Sequence, residues 1–310
     1  MRGYGVNRPS GHGPFSVLVP RTSIFPRHPL ASMHRTVADD RYAGIGTVAA
    51  LAAAGFRRYS TYRQATLAAA AANSVFGFLR CFVLLAVAAA SPTALVAGYD
   101  AGQLAPYCWV SQGLLGVVGL WGWTELGDRI RTGDVVGDLL RPIHPVLSYL
   151  GTDLGRAAHA SLTRFVVPVA CGAVFFTLHV PGRWSTYPLF VLSSLLAVVV
   201  CFGGRYLVNA TGYWLLDVRG VTMAWTFGTA VLAGLAFPLH FLPGWLRTAI
   251  WVGTPFPSML QAPLDVIVER GSTVGLLGVI AGQAAWAVVL LWLCWYVQRR
   301  ATAKLVIQGG

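Results

Sequence analysis

ELGDRIRTGDVVGDLLRPIHPVLSYLGTDLGRAAHA, residues 125–160, is a charged island between long apolar runs, the one stretch equipped to meet a soluble partner. In its first half Glu125, Asp128, Arg129, Arg131, Asp134, Asp138 and Arg141 mix both signs of charge, while Val135, Val136, Leu139 and Leu140 recur at helical spacing on one side of 134–141. That pattern predicts a short amphipathic helix. Pro142 disfavours helical backbone at Arg141, and Pro145 suits the first position of a second helix, whose Leu147, Leu150 and Leu154 repeat every three to four residues. The island therefore reads as two helices with a break. On charge pattern alone it is a membrane-surface connector between two spans.

The rest of the chain sets that frame. Its 310 residues are 55% hydrophobic and only 11% charged, with a mean hydropathy of +0.61, too apolar for a soluble domain of this size. The sequence predicts an all-α, polytopic membrane bundle. A net charge of +12, carried by 22 Arg and one Lys, raises the question of nucleic acid, but the basic residues sit at the ends of apolar runs and form no stripe. The five cysteines lie in or beside apolar runs with no short paired spacing, so they indicate neither a disulfide framework nor a metal site.

Residues 1–38 are rich in proline and basic residues and lack periodicity, which predicts a disordered tail; Met33 is a second candidate start. The remainder, 39–310, reads as one six-span membrane domain. It opens with an Ala/Gly-rich stretch over 42–58 that is too short to cross a bilayer and reads as an interfacial helix. Arg57, Arg58 and Arg63, interleaved with Tyr59 and Tyr62, suit the headgroup level. Runs of spanning length follow at about 66–90, 104–124, 162–180, 187–208, 222–242 and 274–297. With the amino terminus inside, 19 basic residues fall on the inner side against 3 on the outer, which places both termini and the 125–160 segment in the cytoplasm.

Arg80 lies inside the first run and marks either a cavity or a span that starts later than drawn. In the second run Gly113, Gly116, Gly119 and Gly122 recur every three residues, a packing pattern for close helix contact. Residues 243–272 are apolar and broken by Pro243, Pro255, Pro257 and Pro263, which predicts short helices in the outer leaflet.

Several chemistries have no motif. No phosphate-binding G-x-x-x-x-G-K-[ST] occurs and the single lysine is Lys304, so the chain is expected to bind no nucleotide or other cofactor itself. No HExxH, GxSxG or zinc-spaced Cys/His pair points to catalysis or a metal.

Five passages, read together and in order, resemble the permease subunits of type 2 ABC transporters, in the branch of uncharacterised exporter permeases. They are YRQATLAAAAANSVFGFLR, LWGWTELGDRIRTGDVVGDLLRP, YWLLDVRGV, FLPGWLRT and the terminal ATAKLVIQGG, within a resemblance running over about 42–310. The resemblance implies a six-span half-transporter in the cytoplasmic membrane, driven by ATP hydrolysed on a separate ABC ATPase subunit. Its docking segment would be Arg129, Arg131, Gly133, Asp134, Asp138, Leu139, Leu140, Arg141 and Pro142. Two copies, or this chain with a sister permease, would enclose the pathway among membrane lipid. The competing readings are a secondary transporter, which needs intramembrane ionisable groups, and a membrane-embedded transferase, which needs clustered catalytic side chains.

Overall fold

The computed structural model describes residues 45–308, apart from 92–96, 179 and 216. The tail expected over 1–38 and the first residues of the helix expected over 42–58 lie outside the described residues. Every regular element among those described is a helix: α1 (Ile45–Ser60), α2 (Arg63–Ala89), α3 (Ala101–Leu114), α4 (Glu125–Thr132), α5 (Val135–Leu139), α6 (Pro145–Ala160), α7 (Val166–Phe175), α8 (Thr186–Ala210), α9 (Arg219–Leu232), α10 (Gly244–Gly253), α11 (Gln261–Ile267) and α12 (Thr273–Gln308). Four stretches are long and apolar enough to cross a membrane: Gln64–Ala89, Pro145–Phe175, Thr186–Tyr213 and Thr273–Lys304. The chain is an all-α, multi-pass membrane protein.

The sixth run continues past the expected residue 297, as α12 reaches Gln308, and three other runs differ from the sequence expectation for local reasons. The second expected run, 104–124, ends as a helix at Gly119, where α3 has passed through a π-turn, Leu115–Gly119, and the backbone turns to φ +66°. Gln103, Ser111 and Gln112 make α3 too polar to count as an apolar span, yet it is largely enclosed, with Leu104, Tyr107, Trp109 and Leu114, and Val118 of the π-turn, all fully buried. Asp100 starts it with a capping box, its Oδ1 accepting from Gln103 N at 2.7 Å.

The helix that carries the third run begins far earlier than the expected residue 162. Pro145 occupies the first turn of α6 as predicted, and α6, a π-turn (Ser161–Phe165) and α7 run on as one helical stretch, so the second half of the 125–160 segment is continuous with the helix of the third run. The fifth run, expected over 222–242, stops at Leu232. Gly234 adopts φ +85°, and a side chain there would collide with Tyr107 and Gln261; the chain turns back, with Gln261 N donating to Ala233 O at 2.9 Å. The proline-broken segment is helical in short pieces, as expected, but its part from Pro257 to Val266 is buried within the bundle, where the side chain of Gln261 joins Tyr107, Tyr99, Asp265 and the N–H of Leu239.

Glycines bring helices together more closely than larger residues would allow. Gly151 and Gly155 of α6 meet Leu51 and the backbone of Ala52, and Gly55 meets Thr152, so α1 lies directly against α6. Gly204 of α8 leaves the space filled by the Trp225 ring of α9.

Candidate functional site

The connector between α3 and α6 is two short helices braced from behind. Gly133, at φ +84°, ends α4 and lets α5 fold back beside it. Arg129 of α4 then grips Asp138 of α5 with two bonds, Nε to Oδ2 at 2.7 Å and Nη2 to Oδ1 at 3.0 Å, while Nη2 also donates to Asp134 O at 3.1 Å. Tyr149 of α6 donates to the same Asp138 Oδ2 at 2.7 Å. Burial works against the Arg129 charge, but the Asp138 carboxylate more than offsets it and raises the guanidinium above its ordinary value. Asp138 is 6% exposed, so Arg129 and Asp138 form an internal clamp and present little to a partner.

Further ties fix the connector to the bundle. Asn209 of α8 accepts from Gly127 N at 3.0 Å and donates to Trp123 O at 3.0 Å; Arg58 of α1 pairs with Glu125 at 3.0 Å. The His144 and Trp295 rings stack with centroids 3.7 Å apart. What remains exposed is the tip: Arg131, Gly133, Asp134, Val136, Arg141 and Pro142, with Leu140 81% exposed and Leu139 half-buried; Arg141 still reaches Asp138 at 3.7 Å and Arg131 reaches Asp128 at 3.5 Å. The nine residues named from the sequence thus divide into a brace (Arg129, Asp138), a half-buried Leu139 and a surface, and the surface also includes Val136, which helical periodicity had flagged.

A second cluster lies further along α6. Asp153, 6% exposed, accepts from Arg156 Nε at 2.6 Å and from Arg205 Nη2 of α8 at 2.7 Å. Arg156 also donates to the carbonyls of Gly116, Val117 and Val118 at 2.9, 3.0 and 3.3 Å, acceptors that the π-turn and the helix end leave open. Gly119 and Gly116 make room for this: a Cβ on Gly119 would stand 2.8 Å from the Arg156 guanidinium, and one on Gly116 would stand 2.8 Å from Cβ of Arg164. Arg156, Arg164 and Arg205 line a cavity of about 330 Å³ together with Tyr59, Asn73 and Trp121.

Sequence reading had counted these three arginines only as inner-side charges. The signals present were the Asp153–Arg156 spacing of three and the glycines every third residue of 113–122. Neither reveals that Arg205, 52 residues on, joins them.

Arg80 occupies the middle of α2, donating from Nη1 to Ser111 Oγ at 2.9 Å, with Nε and Nη2 buried and unpaired among the described residues. It does not line the arginine cavity, nor a second one of about 660 Å³ at the opposite end of α3, beside His240, Arg247, Asp265 and Arg270. In that second region Asp265 accepts from Tyr99, Gln261 and His240 at 2.8, 2.8 and 2.9 Å, a saturated structural hub. Among the described residues no group of His, Cys, Asp and Glu is arranged to hold a metal.

Two comparisons with known proteins bear on this arrangement. A family model described as ABC-2 family transporter protein matches residues 77–309, which takes in the connector, the arginine cluster and every element after them. No curated protein matches the chain.

Proposed function

The chain belongs to the ABC-2 family of transporter proteins, as a membrane permease, and from that premise we propose that it works as half of an exporter whose energy comes from a separate ATPase subunit docked on the connector tip. The observation that carries the docking assignment is the division within α4 and α5. Val136 and Leu140 stand exposed between Arg131, Asp134 and Arg141, while Arg129, Asp138 and Tyr149 lock the opposite face onto α6. Exposed apolar side chains rimmed by charge suit a protein partner. A rigid brace behind them suits the transmission of force into a helix.

In this proposal six crossings are made by the four long helices, by α3 with its π-turn, about 28 Å in length, and by α9 with the short helices after it, of which the part from Pro257 to Val266 is buried. The distribution of basic residues orients the connector and both termini toward the cytoplasm of the cell membrane. ATP acts through the docked subunit, and two copies, or this chain with a sister permease, enclose the pathway. Export as the direction follows from the resemblance of the connector and terminal passages to exporter permeases.

The test is purification of the tagged protein from its native membranes, with an ATPase assay on the material that comes with it. Wild type brings down an ATPase; Leu140→Asp, which alters only the exposed tip, loses it while the permease inserts and unfolds normally. Retention of the ATPase by Leu140→Asp, or transport by the protein alone, would overturn the docking assignment.

A further inference from the structure

Charges inside a membrane bundle are tolerated when they are paired or face a polar cavity, and those left unpaired are where function is to be sought. The arginine cavity is lined by three guanidinium groups and, among the described residues, by no acidic side chain. Asp153, behind the wall, meets Arg156 and Arg205, so that one carboxylate is set against three positive charges. Arg164 makes no hydrogen bond or ion pair among the described residues although it points along the same wall, and Arg205, 3% exposed, keeps a buried Nε with no oxygen or nitrogen partner. Arg156 is held in place by three backbone carbonyls, and Gly116 and Gly119 are shaped around Arg164 and Arg156. The cationic wall is therefore built into the fold.

We propose that this cavity binds the net-anionic headgroup, a phosphate or a phosphodiester bearing no cation, of an amphiphile whose apolar part stays outside it among the helices. Guanidinium forks are suited to phosphate oxygens, and they are strongest where water is scarce. The size of the cavity limits the occupant: about 330 Å³ admits a headgroup but not acyl chains. Its wall at the α1–α2 elbow, formed by Tyr59, Ala69 and Asn73, borders the face of α2 on which Phe76, three residues beyond Asn73, is 59% exposed. A chain leaving the cavity there meets apolar surface. The identification of the amphiphile as cargo rests on the transporter reading above; its binding does not.

The test uses the full-length permease, purified without an ATPase, titrated in mixed micelles with a short-chain phosphatidic acid, with phosphatidylcholine of the same chain length, and with inorganic phosphate. Saturable binding of phosphatidic acid is expected, with phosphatidylcholine at least about tenfold weaker, because the choline cation opposes the arginines. Arg164→Gln should lose about tenfold in affinity, and Arg164→Lys, which restores the charge without the fork, should regain part of it. Ala69→Phe fills the cavity without touching a charge and should abolish binding, which keeps the test decisive if Arg164→Gln does not fold.

Equal binding of the two lipids, or unchanged binding by Arg164→Gln and Ala69→Phe, overturns the proposal. Inorganic phosphate binding as tightly as phosphatidic acid overturns the amphiphile as the source of the anion. Since the ATPase takes no part, failure here is distinct from failure of the docking assignment, which is read from co-purification.

Discussion

Replacing Asp153 with Asn keeps the shape of the side chain and removes the one negative charge that meets both Arg156 and Arg205. The carboxylate now accepts at 2.6 and 2.7 Å from two different helices, and both it and Arg205 are almost wholly buried. In Asp153→Asn the amide turns a donor toward one guanidinium, and two buried cations are left facing each other. Breaking a buried pair by removing one partner costs about 3–5 kcal/mol. At roughly 2–4 °C per kcal/mol for a domain of this size, thermal unfolding should fall by about 6–20 °C. The assay is intrinsic tryptophan fluorescence of the purified protein in detergent.

Asp128→Asn is the control. Its partner Arg131 lies at 3.5 Å with both side chains more than half exposed, a pair worth about 0–1 kcal/mol. A second variant, Asp153→Asn with Arg205→Gln, should recover a good part of the loss, since it removes the stranded charge as well. If Asp153→Asn unfolds within about 2 °C of Asp128→Asn, the reasoning that treats the cluster as a buried, mutually dependent unit is refuted.

Three other consequences are open to measurement. Gly119→Ala places a methyl group 2.8 Å from the Arg156 guanidinium at φ +66°, and should cost on the order of 3 kcal/mol; Gly122→Ala, at φ +83° with nothing within 4 Å, should cost only the backbone strain of about 1–2 kcal/mol, so their unfolding temperatures should separate. Gly155→Leu cannot fit against Ala52 and Phe56, so α1 should leave α6, read as faster tryptic cleavage after Arg57 and Arg58 with α2 to α12 unaffected. At the other end of the bundle, burial disfavours the charge on Glu269, but the Thr186 hydroxyl, the N–H groups of Arg183 and Gly182 and the Arg183 guanidinium outweigh it and hold the carboxyl at about 2. Its folded value is depressed from 4.5, so its contribution, roughly 1–2 kcal/mol after solvent screening, is present above pH 4.5 and lost as pH falls toward 2; Glu269→Gln should flatten that part of the stability profile.

What could be read from the sequence was whatever is written in neighbouring residues. Pro145 opening α6 and the broken helices after Pro243 are local patterns, and the structure keeps them; the single apolar side expected for Val135, Val136, Leu139 and Leu140 is split instead, with Val135 buried and Val136 and Leu140 exposed. The continuation of the third run's helix back to Pro145 is not legible because Asp153 and Arg156 look like surface charges when each is judged by its own polarity. Only the fold brings Arg205 and the carbonyls of 116–118 to them, and so buries Asp153. The fifth run was drawn too long because hydropathy does not register Gly234, whose backbone turn is imposed by Tyr107 and Gln261 from distant parts of the chain. The connector's charges were legible as a group, but not their division into brace and surface, since Asp138 looks no different from Asp134 until Arg129 and Tyr149 are seen to enclose it.

With an ATPase docked on the tip and an anion in the cavity, as proposed above, that division would also join the two. Tyr149, which holds the connector through Asp138, and Arg156, which lines the cavity, lie on the same helix seven residues apart, about two turns and 10 Å. Because Arg129, Asp138, Tyr149 and Asn209 leave the connector little freedom relative to α6 and α8, a push on its tip displaces both helices together. Asp153 and Arg205 sit on those two helices, and Arg156 anchors α6 to the carbonyls of 116–118. Any shift of α6 and α8 together against α3 must therefore move the three arginines relative to the 115–123 wall of the cavity, and so change the fit of an anion there. Weakening the brace by Tyr149→Phe, which removes one hydrogen bond to Asp138 and about 1–2 kcal/mol, should leave ATPase docking and anion binding each intact. What it should reduce is the dependence of the co-purified ATPase rate on added phosphatidic acid. Unaltered stimulation in Tyr149→Phe would mean that the two sites communicate by some route other than α6.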